Sequence, residues 1–307
     1  MNLSVVIPVY RGEETLGPLV ERLGKVLPTI ANSFEVLLIN DDSPDRSWTV
    51  IETLSQAYPW VRGIDLMRNY GQENATLCGI REACYEIIVT MDDDLQHFPE
   101  DIPNLVAKLS EGFDVAFGVP RSRSQAWWKG ILSAWVKRVI ALILGSKSVR
   151  DISAFKAMRA ELRDAFASVH SPDVQLDALL SWATTKFVSV PIDEGPRTVG
   201  RSNYNLYKLI KVSILILTSY TTIPLRFASV LGFFFTILGF FVFIYVVTIY
   251  FTAGSIPGFP FLVSIVTIFS GVQLFALGII GEYLALSFER SSGRPPYVIK
   301  KKTEIGA

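Results

Sequence analysis

The chain has 307 residues, of which 50% are hydrophobic and only 19% are charged, below the roughly 25% of a soluble domain. Its 29 basic and 29 acidic residues balance to zero, which excludes a nucleic-acid binder that works through a basic excess. The same composition excludes a disordered chain. The two cysteines, Cys78 and Cys84, have the spacing of neither a disulfide framework nor a zinc site.

Short β-rich runs alternate with helical patterns over the first two hundred residues. The predicted strands are Leu3–Val9, Phe34–Asn40, Val61–Met67, Tyr85–Met91, Asp114–Gly118 and Phe187–Ile192. The predicted helices are Glu13–Leu27, Ser47–Ala57, Gln72–Cys84 and Pro99–Glu111. Several strands are nearly continuous in apolar residues, as is typical of strands buried on both faces of a parallel sheet. The pattern predicts a doubly wound, mostly parallel α/β domain over residues 1–204, with ligands beyond the carboxyl ends of its strands.

Acidic residues cluster directly after two of these strands. The runs are Asp41–Asp45 after the second strand and Asp92–Asp94 after the fourth. Carboxylates gathered at a strand end are costly unless a cation binds them, and Mg²⁺ takes one or two carboxylates together with substrate phosphates. The sequence therefore predicts a metal-bound diphosphate. The alternative is that these residues are solvated turns and helix N-caps.

Arginines follow the last two predicted strands on the same side of the sheet. They are Arg121 and Arg123 after the fifth strand, and Arg197 and Arg201 after the sixth. Planar guanidinium groups match phosphate oxygens bidentately, so these residues are candidates for binding a diphosphate or a second phosphate. Ordinary solvated surface arginines are the alternative at each position.

The second half of the chain contains a long uncharged window. No Asp, Glu, Lys, Arg or His occurs in residues 227–281, and the apolar runs 229–252 and 261–284 each reach the ~20 residues that a membrane-spanning helix needs. Basic residues flank the pair and are absent from its turn, which predicts both termini in the cytoplasm by the positive-inside rule. The N-terminus lacks the pattern of a signal peptide, so the first domain is expected to be cytoplasmic. A buried hairpin of a soluble core is the alternative.

Two amphipathic stretches precede these spans. The Trp-rich segment 126–144 and the segment 205–218 carry apolar faces with lysines or arginines elsewhere, which is typical of helices in the membrane interface. Ordinary core helices are the alternative. The predicted order is a cytoplasmic domain at 1–204, a juxtamembrane interfacial helix at 205–226, two transmembrane helices within 227–288 and a cytoplasmic basic tail at 289–307.

Several motifs in combination resemble a known family. They are VVIPVY at 5–10, INDDSPD at 39–45, RNYGQ at 68–72, TMDDDLQHFPE at 90–100, VRD at 149–151 and PRTVGRSNY at 196–204. The chain resembles the inverting glycosyltransferases of family 2, and within them the polyisoprenyl-phosphate glycosyltransferases, which include dolichyl-phosphate mannose synthase and the bactoprenol glucosyl transferases. The two apolar spans followed by GEYL at 281–284 match the bactoprenol branch.

This resemblance implies the nucleotide-sugar-binding fold called GT-A and a metal-dependent glycosyltransferase of the hexosyltransferase type. One sugar would pass from a nucleotide diphosphate sugar, a UDP-sugar in the bactoprenol branch, to a polyisoprenyl phosphate resembling undecaprenyl phosphate. The product would be a lipid-linked sugar for modifying cell-envelope glycans, made at the cytoplasmic face of a bacterial inner membrane. The resemblance also implies Mg²⁺ or Mn²⁺ as cofactor. A homo-oligomer is expected as well. GDP-mannose or dTDP-sugar donors, and a non-catalytic nucleotide-binding scaffold, are the alternatives.

The resemblance also assigns roles to individual residues. The residues expected to contact the nucleotide sugar are Pro8, Tyr10, Glu14, Asp41, Asp92 and Asp93, and those expected to bind the metal are Asp94 and Gln96. The residues expected to act at the reacting sugar and its phosphates are Asp151, Asp94, Arg121 and Arg197. The residues expected to bind the acceptor phosphate are Arg123, Arg201 and Asn203.

Two of these assignments follow from departures from the family pattern. Arg11 and Gly12 replace an Asn-Glu pair, so Glu13 or Glu14 would take over the ribose contact. Asn203 replaces a lysine, whose charge Arg201 could supply. Whether Asp151 acts as a base or only orients a substrate stays open.

Overall fold

The computed structural model describes residues 1–121, 153–167, 174–193, 195, 222–253 and 258–303. The chain forms two compact units. One contains residues 1–203 together with 293–307, and the other contains residues 204–292. The amphipathic segment 126–144 and the segment 205–218 lie outside the described residues.

A mixed sheet of eight strands forms the centre of the first unit. The strands are β1 (Asn2–Val9), β2 (Ser33–Asn40), β3 (Val61–Leu66), β4 (Ile87–Thr90), β5 (Val115–Pro120), β6 (Lys156–Arg159), β7 (Phe187–Ile192) and β8 (Ile299–Lys302). Their order across the sheet is β7-β5-β6-β4-β1-β2-β3-β8. All neighbours from β4 to β3 are parallel, as are β5 and β7, whereas β6 and β8 run antiparallel to the strands beside them. The predicted mostly parallel α/β sheet is confirmed, with β6 and β8 as additions.

Helices cover both faces of this sheet. They are α1 (Leu16–Ile30), α2 (Ser47–Ala57), α3 (Gln72–Glu82), α4 (Ile102–Ser110), α5 (Asp164–Ala167) and α6 (Leu176–Ala183), with 3₁₀ turns at Pro99–Asp101 and Ala160–Arg163. Side chains of β1 alternate between the faces. Val5 and Ile7 pack in the cluster that contains α1 and α4, whereas Val6 packs in the cluster that contains α3 and α6. Two buried faces explain why β1 is apolar at nearly every position.

The second unit contains two long helices, α7 (Ile223–Ala253) and α8 (Phe259–Ser291). Within them, Pro224–Thr252 and Ile268–Ser291 have the length and hydropathy of membrane spans, and neither span is buried inside the protein. A helix that is apolar on all sides and is not buried by its own chain is typical of a membrane span. The predicted pair of apolar C-terminal helices is confirmed, and the exposure of both favours membrane spans over the hairpin of a soluble core.

Candidate active site

The acidic runs meet because their strands are neighbours. In the sheet β1 lies between β4 and β2 and is parallel to both, so the carboxyl ends of all three strands share one edge. The residues after β1 therefore lie beside those after β4, and the backbone N–H of Tyr10 donates to Asp93 Oδ2 at 3.2 Å. Tyr10 as a whole is 47% exposed beside this contact. This edge presents an accessible aromatic ring next to several carboxylates.

Asp41 organises the loop that enters α3. Its buried carboxylate accepts the N–H of Tyr70 at 2.7 Å through Oδ1 and that of Gly71 at 2.8 Å through Oδ2. The Asn69 amide also donates to the Asp41 carbonyl at 3.2 Å. Burial raises the pKa of Asp41 above its ordinary value, against the lowering effect of the two N–H groups. The side chain predicted to contact the nucleotide thus also holds the RNYGQ loop against the end of β2.

The three aspartates after β4 have different surroundings. The Gln72 amide donates to Asp92 Oδ1 at 2.6 Å, and Asp94 Oδ1 accepts the N–H of Gln96 at 3.1 Å. Asp93 points inward to the N–H of Tyr10. Burial raises the pKa of Asp93 to about 7, and the charges of Asp92 and Asp94 add to the rise. The turn therefore concentrates negative charge that a cation would neutralise.

This turn fits a divalent metal that completes its coordination with substrate oxygens. Among the described residues, no group of three His, Cys, Asp or Glu side chains is arranged to hold a metal ion. Mg²⁺ commonly binds through one or two carboxylates plus phosphates and waters, which is a smaller requirement. Asp94 would supply a hard oxygen ligand of this kind, and Gln96 follows on the same turn. These ligands suit a metal that binds together with a diphosphate. They are too few for a site whose ligands all come from the protein.

Gly12 explains one departure from the family pattern. A Cβ added at this position would lie 2.8 Å from Asp93 Oδ2, closer than real Cβ atoms approach, and 3.0 Å from Val9 Cγ1, which is an unusually tight contact. Its N–H donates to Ser47 Oγ at 2.9 Å. A glutamate side chain at position 12 would therefore displace Asp93. Glu14, the predicted substitute at the ribose, is exposed, and its contact with a nucleotide stays a prediction.

Of the predicted arginines, the structure describes Arg121. This residue follows β5, its side chain is 61% exposed, and it forms an ion pair with Asp193 at 3.7 Å. The other predicted residues beyond the end of β5 lie outside the described residues: Arg123, Asp151, Arg197, Arg201 and Asn203. Gly195 donates its N–H to the Gln96 carbonyl at 2.9 Å, so the segment that leads to PRTVGRSNY passes the acidic turn.

A polar pocket beneath the acidic turn contains residues that the sequence analysis missed. Lys156 is 3% exposed and is the only buried Lys or Arg among the described residues, and it forms an ion pair with Asp177. Glu73 accepts the N–H of Leu176 at 3.2 Å, and burial and the charge of Asp177 raise its pKa, against the effect of Lys156. The pocket is lined by Pro8, Gln72, Glu73, Thr76, Thr90, Met91, Asp92, Ala154, Lys156 and Leu176. Gln72 is the last residue of the RNYGQ motif and Glu73 follows it, whereas no sequence signal marked Lys156.

Comparison with known proteins identifies the family of this chain. The profile of the Glycosyl transferase family 2 matches residues 4–164, slightly more than half of the chain. This chain belongs to glycosyltransferase family 2. The undecaprenyl-phosphate 4-deoxy-4-formamido-L-arabinose transferase of Enterobacter sp. (strain 638) is 32% identical over 311 residues, which cover 100% of this chain and 95% of that protein. The predicted resemblance to polyisoprenyl-phosphate glycosyltransferases is confirmed.

The solved structures that resemble this chain are more distant in sequence. Glucosyl-3-phosphoglycerate synthase from Mycobacterium tuberculosis, in complex with phosphoglyceric acid, has a TM-score of 0.50 and 18% identity, covering 71% of this chain and 78% of that chain. The same enzyme with Mn²⁺, UDP and phosphoglyceric acid has a TM-score of 0.49 and 17% identity, covering 71% and 76%. The first of these likenesses supports the predicted GT-A fold of this glycosyltransferase.

Proposed function

We propose that this glycosyltransferase transfers one sugar, with inversion, from a nucleotide diphosphate sugar to a polyisoprenyl phosphate at the cytoplasmic face of a membrane. The proposal rests on the position of Tyr10, Asp41 and Asp92–Asp94, which lie at the same edge of the sheet. The same chain has two apolar helices that are not buried inside the protein. The relative that acts on undecaprenyl phosphate supports the lipid acceptor. A UDP-sugar is the donor that we propose, with GDP- and dTDP-sugars as the alternatives.

The donor would lie across the ends of β1, β2 and β4. The exposed ring of Tyr10 offers a stacking surface to the base, and Asp41 fixes the loop at 68–71 that would close the other side of the pocket. Asp94 and Gln96 would hold Mg²⁺ or Mn²⁺, which would neutralise the diphosphate as it leaves. Arg121 and Arg197 would meet the phosphates through their guanidinium groups.

The acceptor needs little activation. A phosphate monoester has a second pKa near ~6, so its oxygens are largely anionic at neutral pH. One oxygen would form the new bond to the anomeric carbon from the face opposite the diphosphate, while the bond from that carbon to the diphosphate oxygen breaks. No proton has to be removed, so Asp151 would orient a substrate and Arg123, Arg201 and Asn203 would bind the acceptor phosphate.

The membrane placement rests on charge. Lys208, Lys211 and Arg226 precede or begin the first apolar span, and Arg290 and Arg294 follow or end the second, whereas residues 254–258 between them carry no charge. By the positive-inside rule we propose that both termini and the catalytic unit face the cytoplasm. A phosphate at the bilayer surface would then be within reach of the enzyme that uses it.

The test is product formation by the purified full chain in detergent. UDP-, GDP- and dTDP-sugars are supplied in turn with undecaprenyl phosphate and Mg²⁺ or Mn²⁺, and lipid-linked product is measured by mass spectrometry. Asp94→Asn should abolish transfer and the metal-dependent part of donor binding while the protein stays folded. Asp164→Asn, the same change at the start of α5, is the matched control and should leave transfer unchanged.

Two results would contradict the proposal. Nucleotide binding without any lipid-linked product, across all donors, would favour a scaffold over an enzyme. Full turnover by Asp94→Asn at ordinary Mg²⁺ concentrations would refute the metal assignment and leave the transfer itself standing.

A further inference from the structure

The strand β8 brings three consecutive lysines to the edge of the sheet, and each forms an ion pair with a different acid. The pairs are Lys300 Nζ with Asp65 Oδ2 at 3.4 Å, Lys301 Nζ with Glu52 Oε1 at 2.9 Å and Lys302 Nζ with Glu82 Oε2 at 2.6 Å. The acids of Lys301 and Lys302 lie on helices α2 and α3, whereas Asp65 lies on β3 itself. A segment that reads as a basic tail is therefore part of the catalytic unit.

The backbone holds β8 firmly against β3. Thr303 donates its N–H to the Gly63 carbonyl at 2.9 Å, and the N–H of Gly63 donates to Thr303 Oγ1 at 2.8 Å. At the other end, Met67 donates its N–H to the Val298 carbonyl at 2.9 Å. Between these contacts the register shifts, because Asp65 is opposite Lys301 and Leu66 is opposite Ile299. Lys300 therefore has no partner residue on β3 in this register, as in a β-bulge. A β-bulge changes the direction in which a side chain points.

Asp65 connects this lysine to the candidate nucleotide pocket. Its carboxylate is buried, and Oδ1 accepts the Asn40 amide at 2.7 Å. Asn40 is 2% exposed, its Oδ1 accepts the N–H of Ser43 at 3.4 Å, and it immediately precedes Asp41. The contacts therefore run from Lys300 through Asp65 and Asn40 to the turn that carries Asp41.

We propose that Lys300 is a positioning residue of the nucleotide pocket and that β8 is a structural component of that pocket. The proposal rests on the proposed function only in taking Asp41 as part of the site that binds the nucleotide. A buried carboxylate is costly unless it is paired and hydrogen-bonded, and Lys300 supplies the opposite charge while Asn40 supplies the hydrogen bond.

Removal of the Lys300 charge leaves Asp65 in the sheet with Asn40 as its remaining polar contact. Water then has to compensate the carboxylate, and it competes with the bond to Asn40. The turn at residues 40–43 loses its restraint, and Asp41 loses the fixed position from which it holds the loop at Tyr70 and Gly71. The same change at Lys301 or Lys302 relaxes only a helix that flanks the sheet.

The experiment compares three equal changes of charge. Lys300→Met, Lys301→Met and Lys302→Met are made in the full-length protein, and the binding of UDP with MgCl₂ is measured by calorimetry. Lys300→Met should weaken binding by roughly three- to tenfold, with the loss in the KM of the donor sugar and little change in kcat. The other two variants should stay within about twofold of the wild type. Lys300→Arg should restore binding.

A double-mutant cycle separates positioning from general loss of structure. Asp65→Asn keeps an acceptor for Asn40 and removes the charge that needs Lys300, so Lys300→Met in that background should cause no further loss of UDP affinity. Thermal unfolding of each variant shows whether β8 stays docked.

Three results would overturn the proposal. One is unchanged binding by Lys300→Met, another is an equal loss in all three lysine variants, and the third is a full additional loss in the Asp65→Asn background. If the wild type binds UDP, any of these refutes this inference alone. If the wild type binds none of UDP, GDP and dTDP, the proposed function itself fails.

Discussion

Gly12 is the position where the addition of one methyl group tests the geometry of the site most directly. Gly12 has no positive φ, so its backbone accepts alanine, and any cost of Gly12→Ala comes from contact alone. The new Cβ would lie 2.8 Å from Asp93 Oδ2, about 0.6 Å inside the 3.4 Å at which ordinary contact begins, and 3.3 Å from Leu16 Cγ. Asp93 would have to move away from the N–H of Tyr10, and the acidic turn would move with it.

The expected loss of stability follows from overpacking. Extra methyl groups in a packed site cost about 1–3 kcal/mol. For a unit of this size that corresponds to a fall in Tm of roughly 2–12 °C, measured by tryptophan fluorescence in detergent. Displacement of the turn should also lower kcat/KM by up to about a hundredfold, because misplacement by about 1 Å can cost this much in rate.

A second glycine in the chain provides the control. Gly17 lies in α1, and a Cβ added there would have no atom within 4 Å, so Gly17→Ala adds the same group without a clash. Alanine favours a helix by up to about 1 kcal/mol over glycine, so this variant should unfold at the same temperature or higher, with unchanged activity. Equal stability and activity of the two variants would refute the close approach between Gly12 and Asp93.

The buried Lys156–Asp177 pair, the Asp41 carboxylate and the turn between the apolar helices each give a further prediction. Lys156→Met should lower the free energy of unfolding by roughly 3 kcal/mol by stranding Asp177, and Asp177→Leu added to it should restore most of the loss in a denaturant titration. Asp41→Ala leaves two N–H groups unpaired and should cost about 1–3 kcal/mol by the same measurement, more than Asp41→Asn. A cysteine at Ser255, in a Cys84→Ser background, should react with an impermeant thiol reagent added from outside, and labelling only from the cytoplasmic side would contradict the topology.

The sequence predicted those strands that are buried on both faces of the sheet, because such strands are apolar at nearly every position. The run at 3–9 matches β1 within one residue, and the run at 34–40 matches β2 within one residue. Because parallel strands place their carboxyl ends together, the same runs also predicted which acids would share an edge. Asp41 and Asp92–Asp94 could thus be placed near each other before their contacts were known.

The strands that were missed have no such pattern. β6 is only KAMR and β8 only IKKK, and each is stabilised by pairing with a strand far away in the chain. Local strand propensity carries no information about such pairing. The sequence therefore could not predict that Lys156 and Lys300 lie in strands of the sheet. Helix α1 begins at Leu16, three residues later than predicted, after a turn in which the N–H groups of Thr15 and Leu16 both donate to the Gly12 carbonyl.

The position of β8 in the chain sets the time at which the sheet can be completed during synthesis. Gly63 and its partner Thr303 are separated by 240 residues, and both apolar helices lie between them. At ~5–20 residues per second the ribosome needs roughly 12–48 s to cover that distance. Throughout this interval β3 presents an unpaired edge, which can pair with another chain. A nascent chain that stops before β8 would therefore keep an open edge, and a protease or chaperone could distinguish it from the finished protein.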